Sequence, residues 1–428
     1  MGYTSSGLWG DPSPAAWNRV RRYSSWMRRV WVDEWSPIAE VTYHKLLLNS
    51  PAGGWFPALQ KLNLYITAPN LPYAGLFFSP HLRKVSIVVP WSSENSEAPC
   101  DIISSIASVI SKLPTSTLQV LFIAVNREKL PWLHFKDSLS SVVLRCGPSL
   151  VEFTSSIPLS DSAVNHLLQL PHLRTWRIGV PPPSHPSLPL AFPPLTELTL
   201  TRDAVRGWLS LFRRLGRGIP TTQYMAPLSK VKGSLEDLKI EHFPDPIIDT
   251  SFTAAIQIFQ NLCNLNVEVN CHVESGVGQC TFKLNDDDVI GVVMALPRLE
   301  SLILGQACSE NTCATTVACL LPLSVYCVKM RWLEIHFNTS NIVDDFKNIS
   351  EDPRLQKLHF LPRCPLSRLN VGQMPLTLDE PGFETVINGM DDIFPSMRCC
   401  TETEGIWTEL DGRIAGFREM RALQAGHQ

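Results

Sequence analysis

Three consecutive carboxylates, Asp286, Asp287 and Asp288, stand in the stretch LNDDDVIGVVMALPRLESLIL from Leu284 to Leu304. Such a run is what a hard divalent cation takes as oxygen ligands. The chain also holds 12 Cys and 11 His, the raw material of a zinc site or a thiol nucleophile. Neither chemistry finds its spacing. There is no Cys-x-x-Cys and no matching His pair; Cys399 and Cys400 are adjacent, while Cys308, Cys313, Cys319 and Cys327 are unevenly placed. GxSxG, P-loop, GxGxxG and HExxH patterns are absent as well. These observations predict a protein that is not an enzyme and holds no metal or cofactor, with thiols that fill core positions. At the N-terminus, MGYTSS fits the Met-Gly-x-x-x-Ser pattern of myristoylation. Arg19, Arg21, Arg22, Arg28 and Arg29 would supply the second, basic signal for membrane association, although the bulky Tyr3 suits the pattern poorly.

The bulk numbers exclude other classes. A net charge of −3 over 428 residues gives no argument for nucleic acid. Scattered thiols without a disulfide framework fit a reducing compartment. The N-terminal residues contain no apolar signal core. The longest apolar stretch, Val317 to Val328, is interrupted by Pro322 and falls short of the ~20 residues a membrane span needs. The expectation is a soluble intracellular chain, cytoplasmic or nuclear, with no membrane span and no nucleic-acid partner. The glycosylation patterns at Asn338 and Asn348 are short enough to recur by chance.

The carboxylates acquire a meaning from a second stretch, LSDSAVNHLLQLPHLRTWRI, from Leu159 to Ile178. Aligned on Asp161 and Asp287, the two share a Leu-Pro (Pro171, Pro297) followed by a leucine. Val164, Leu167 and Leu168 have helical spacing, as do Ile290, Val293 and Met294. The aspartates then serve as caps of a helix N-terminus rather than as metal ligands. Proline stops each helix, and Leu-x-x-Trp-x-Ile or Leu-x-x-Leu-x-Leu continues with the alternation of a strand.

The strand half recurs from Leu59, Leu82, Leu118, Leu150, Leu173, Leu195, Leu235, Leu262, Leu299, Met330 and Leu355, with a truncated copy from Leu366. This is an irregular leucine-rich pattern of about eleven to twelve repeats. One strand–helix unit cannot bury its apolar side alone, so units must stack and share a core. The fold class is therefore α/β: a single leucine-rich-repeat solenoid with parallel strands on its concave face and helices or extended segments on its convex face. Leu62, Leu64, Leu198, Leu200, Leu302 and Leu304 should be nearly fully buried. The proline run from Pro181 to Pro194 forbids a helix and should run extended. The stretch around Arg213, Arg214, Arg217, Lys230 and Lys232 reads as a surface loop.

Residues 1–50 are expected to form an N-terminal capping helix and linker, 51–375 the solenoid, and 376–428 a closing unit with a final helix. Ser13 and Pro14 suit an N-cap and first helical position, with Trp17, Val20, Met27 and Trp31 on one face. Leu410, Ile414, Phe417 and Met420 form the corresponding stripe at the other end.

The degenerate "Asp … Leu-Pro-x-Leu-x-x-Leu-x-Leu" units resemble the fungal, mainly basidiomycete, F-box/leucine-rich-repeat proteins. The stretch LNVGQMPLTLDEPGFETVINGMDDIFPSMRCC, then Trp407 and RIAGFREMR, is similar to the closing unit of that family. The resemblance implies a substrate-recognition part of an F-box-type (SCF) ubiquitin ligase receptor, in which an N-terminal F-box binds the Skp adaptor and the repeats select the substrate. No Leu-Pro-x-Glu helical opening precedes the repeats here. The segment GLWGDPSPAAWNRVRRYSSWMRRV resembles the family's stretch just after the F-box, so the F-box is expected to be lost or missing, and the adaptor to be a partner only where one exists upstream. The alternative is a leucine-rich-repeat scaffold unrelated to ubiquitination, membrane-associated through its N-terminus.

In each strand the leucines point inward and the residues between them line the opposite face. Read in order, these are Lys61, Asn63, Tyr65 and Lys84, then Arg177, Glu197, Asp237, Lys239, Glu241 and Glu268, then Trp332, Glu334, His336, Lys357, His359 and Arg368. The acidic centre and the amphipathic Tyr65 and Trp332 suit a protein partner with a basic patch. The same residues also suit a solvated strand face with no preferred partner.

Overall fold

The computed structural model describes residues 12–32, 40–51, 54–66, 71–89, 100–125, 133–157, 159–178, 194–200, 233–243, 253, 255–269, 284–304, 314–335, 337–358, 364–370, 378–395, 397–399 and 406–425. The chain divides into two compact units, Met1–Leu195 and Thr196–Gln428. The proline run before Pro194, the basic loop, His336 and His359 lie outside the described residues.

In the first unit six parallel strands follow one another in chain order: β1 (Arg29–Val32), β2 (Lys61–Tyr65), β3 (Lys84–Val89), β4 (Val120–Val125), β5 (Glu152–Ser155) and β6 (Thr175–Ile178). The repeated leucine pattern explains both the pairing and its register. Leu62, Val85, Leu121, Phe153 and Trp176 occupy one rung across five strands, and all are buried. Sliding any strand by one residue would turn this rung to the other side of the sheet, so burial enforces the register. α1 (Pro14–Ser24) precedes β1, and behind the sheet lie α2 (Glu40–Leu48), a 3-10 helix (Leu71–Phe77), α3 (Cys100–Ser111), α4 (Leu133–Arg145) and α5 (Asp161–Leu168). From α2 onward each packs against the next.

The second unit repeats the arrangement with β7 (Glu197–Leu200), β8 (Asp237–Phe243), β9 (Asn264–Val269), β10 (Ser301–Leu304), β11 (Trp332–Ile335), β12 (Arg368–Asn370) and β13 (Arg398–Cys399), all parallel. Leu198, Leu238, Leu265, Leu302, Leu333 and Leu369 share one rung, and Leu200, Ile240, Val267, Leu304 and Ile335 another. The six leucines expected in the core, Leu62, Leu64, Leu198, Leu200, Leu302 and Leu304, are all 3% exposed or less. Each such side chain is stabilised by roughly 1.5–3 kcal/mol through burial. Each unit is thus an α/β solenoid of stacked strand–helix repeats.

Polar staples join successive repeats just before the strands. Thr117 donates its hydroxyl to the Leu82 carbonyl (2.8 Å), and Ser149 donates to that of Leu118 (2.9 Å). Each uses the residue that precedes the first leucine of its repeat. Asn261, in the same position, donates its amide to the Gly233 carbonyl (2.7 Å).

The remaining helices of the second unit are α6 (Asp286–Ala295), α7 (Leu320–Tyr326), α8 (Ile342–Glu351), α9 (Pro353–Leu358), α10 (Glu380–Ile393) and α11 (Ile406–Ala425). The last helix is tied to α10 by charge. Arg413 holds Glu380 (2.6 Å) and lies over the Phe383 ring. Arg418 donates to the Asp391 carboxylate (2.7 Å) and to the Met397 and Phe394 carbonyls, just past the end of α10. Ile414 is buried, whereas Met420 of the expected stripe is 58% exposed.

Four expectations are corrected. The repeat at Leu355 is not a strand: Pro353–Leu358 is helix α9, so Lys357 belongs to a helix and not to a strand. Proline at the first turn of a helix is permitted, and it starts one here. The N-terminal segment is not one helix through Trp31. Ser13 caps α1 by accepting from the Ala16 N–H (3.2 Å), but α1 ends at Ser24 and Arg29–Val32 forms β1. Trp17 is buried, whereas Trp31 is 74% exposed. The aspartates do not hold the N-cap position either. Ser160 and Asn285 do, and the aspartates occupy the first turn, where the helix dipole favours them. Finally, α6 buries Val289, Val292 and Val293 and leaves Met294 56% exposed. Its apolar stripe sits one residue earlier than the alignment with α5 implies.

Candidate partner-binding face

Because the leucines of each strand enter the core, the residues between them form an ordered lattice on the other side of the sheet. In the second unit one rung of this lattice reads Glu197, Asp237, Asn264, Ser301, Trp332, Arg368. The next reads Thr199, Lys239, Asn266, Ile303, Glu334, Asn370. Adjacent strands lie about 4.8 Å apart, so neighbours along a rung are within side-chain reach.

Three groupings result. Asp237 accepts from the Asn264 amide, and Glu197 occupies the preceding position of that rung. Lys239 bridges Glu268 (2.8 Å) and Glu241 (3.3 Å). Burial would lower the Lys239 pKa, but the hydrogen bond and charge of Glu268, then those of Glu241, outweigh it and hold it above its ordinary value. The third grouping is Trp332 with Arg368, whose guanidinium carbon lies 5.5 Å from the ring centroid.

Ten of the sixteen residues expected on the strand face, Tyr65, Arg177, Glu197, Asp237, Lys239, Glu241, Glu268, Trp332, Glu334 and His336, are the candidate contacts, and they divide. Glu197, Asp237, Lys239, Glu241, Glu268, Trp332 and Glu334 all belong to the second unit. Tyr65 and Arg177 are half-buried on β2 and β6 of the first. His336 lies outside the described residues. Glu241 and Glu334 are only 7% and 5% exposed, so they support the lattice more than they present charge. Accessible negative charge comes mainly from Glu197 and Asp237. Asn264, Ser301 and Asn370 share the face and were not singled out. Their odd-numbered place in each Leu-x-x-Leu-x-Leu unit is the signal that identifies them.

Cys146, Cys263, Cys319, Cys327 and Cys364 are free thiols. Burial pushes Cys146 and Cys327 up to about 12 and Cys364 to about 11, far from the thiolate a nucleophile needs. Among the described residues no three His, Cys, Asp or Glu side chains are grouped to hold a metal. Asp286 is engaged with Thr316, accepting from its N–H and its hydroxyl at 2.7 Å each. No described helix is long and apolar enough to cross a membrane. No family model matches the chain, and no curated protein matches it.

Proposed function

We propose that the chain is a non-catalytic, intracellular protein-interaction module that selects a protein partner through the open strand face of its second unit. On this reading it is the substrate-recognition part of an F-box-type ubiquitin ligase receptor, with the Skp adaptor as a further partner where an F-box is present. The observation that carries the interaction role is the rung Glu197, Asp237, Asn264, Ser301, Trp332, Arg368. It sets a large half-exposed aromatic beside a cation at one end and two acidic side chains at the other. Aromatic and arginine side chains on a rigid scaffold are the groups that dominate interface energies. The ligase role rests on the family resemblance of the repeats and the closing unit.

The test compares partners recovered by quantitative affinity purification with the wild-type chain, Trp332→Ala and Glu197→Lys/Asp237→Lys, each shown to keep its melting temperature. Charge reversal at Glu241 is avoided because it would place a lysine against Lys239 in a nearly buried site. The reading expects a specific partner to disappear from both variants and ubiquitin-ligase components to accompany it. The same partners in all three samples would refute the face. Loss of a partner without any ligase component would keep the module and remove the ligase role.

A further inference from the structure

The first unit carries a different charge pattern on its own strand face. Arg29, Lys61 and Lys84 are register partners on β1, β2 and β3, so three cations stand side by side on one rung. At about 4.8 Å per strand the row spans about 10 Å. Like charges placed directly opposite one another destabilise a sheet. Counterions would relieve that, yet none of the three takes part in an ion pair among the described residues. Arg29 and Lys84 are exposed and Lys61 is half-exposed.

A second feature adjoins the row. Trp31 projects from β1 on the same face, two residues beyond Arg29, and is 74% exposed. Asn63 and Ser86 continue its rung with hydrogen-bonding groups. Among the described residues β1 pairs only with β2.

The geometry points to a docking site for a short acidic peptide segment, with two or three carboxylates on Arg29, Lys61 and Lys84 and a neighbouring apolar side chain against Trp31. The row also says why the occupant is a peptide and not a nucleic acid. Past Lys84 the rung continues with Val120 and then Glu152, whose carboxylate repels a polyanion that runs on. A single strand of nucleic acid needs a longer basic groove and several stacking platforms. Here there are three cations and one indole, which match a short segment in both charge and extent.

The experiment measures fluorescence anisotropy of a fluorescein-labelled peptide, Asp-Glu-Leu-Asp-Glu-Glu, with the full chain at low salt. Its arms are a Lys-for-acid control peptide, a labelled dodecauridylate and labelled vesicles rich in phosphatidylserine. The acidic peptide is expected to bind saturably and to weaken with salt. Lys61→Gln/Lys84→Gln should reduce its affinity about tenfold, because exposed charge pairs of this kind are worth only a few-fold each. Trp31→Ala should weaken it too, and Lys239→Gln, in the second unit, should leave it unchanged. The lysine pair adds a readout that a merely structural role would not give: the melting temperature should hold or rise as repulsion is removed, while binding falls. Absence of saturable binding to the wild type, equal binding by the lysine pair, or preference for the oligouridylate or the vesicles would each overturn the proposal.

Discussion

The indole of Trp332 and the guanidinium of Arg368 stand on neighbouring strands at one rung, 5.5 Å from ring centroid to guanidinium carbon. Arg368 is exposed and Trp332 is 38% exposed, so water and salt screen the pair. A cation over an exposed aromatic contributes about 0.5–1 kcal/mol. A double-mutant cycle with Trp332→Ala and Arg368→Ala should return a coupling of about that size in urea denaturation. Additive effects would mean that the two side chains are arranged independently and that the aromatic is not held ready for a partner.

Lys239 is held more firmly, between Glu268 and the nearly buried Glu241. Its pKa is raised in the folded chain, so the stability it contributes is complete below the unfolded lysine value and is lost as pH rises through the folded one. The wild type should therefore lose stability above about pH 10.5, the ordinary lysine range, more steeply than Lys239→Gln does. At neutral pH the same substitution should cost about 1–2 kcal/mol, because it leaves Glu241 with less compensation for its burial. Parallel pH profiles for the two proteins would show that the bridge contributes nothing.

The strand register was readable because each leucine pattern has a period of two and one buried side, which makes any slip costly. That is why Leu198, Leu238, Leu265 and Leu302 were legible as one rung from spacing alone. Two failures have physical causes. Leu355 has the leucine spacing, but Pro353 begins a helix two residues earlier and local geometry prevails over the repeat. Arg29–Val32 has only four residues and no leucines, and becomes a strand because β2 offers an unpaired edge. The face itself was legible as positions, whereas its pairings were not. Nothing in the pattern says that Lys239 reaches two glutamates while Asp237 takes an amide from Asn264.

The aspartate run offers a contrast between neighbours. Asn285 and Asp288 form a reciprocal capping box, and Asp286 holds the backbone N–H and hydroxyl of Thr316. Asp287 makes neither kind of contact in that box and sits in the first helical turn. Asn285→Ala and Asp286→Ala should each cost about 1 kcal/mol, and Asp287→Ala less than about 0.5 kcal/mol. Thermal denaturation of the three variants checks the order. Equal losses at Asp286 and Asp287 would mean that the run acts through its summed charge and not through these bonds.

Nearby, burial first, then the charges of Asp286 and Asp344, push the Asp345 pKa above its ordinary value. A carboxyl raised by folding takes up its proton more readily in the folded chain. Its favourable contribution is therefore complete below the unfolded carboxyl value and disappears as pH rises through the folded one. Asp345→Asn should accordingly be more stable than the wild type at pH 7, and that advantage should shrink as pH falls into the carboxyl range. An advantage that stays constant down to about pH 3, below the ordinary carboxyl range, would show that the asparagine acts by some route other than removing the charge.

Helices α8 and α10 meet where Gly389 faces Phe346, a ring that is 1% exposed. A β-carbon at Gly389 would run into the Cδ1, Cγ and Cε1 atoms of that ring, so the helices approach only because position 389 has no side chain. Glycine inside a helix costs about 1 kcal/mol relative to alanine, and on an open surface the exchange to alanine stabilises. Here the sign should reverse. Phe346 is closely packed, and forcing it aside strains a core without free volume, which typically costs about 1–3 kcal/mol. Gly389→Ala should lower the melting temperature, whereas Gly416→Ala in α11, where a β-carbon meets nothing within 4 Å, should hold or raise it. Combining Gly389→Ala with Phe346→Leu should recover part of the loss, since the smaller side chain vacates the contested space. If Gly389→Ala alone proves stabilising, α8 and α10 do not pack in this register.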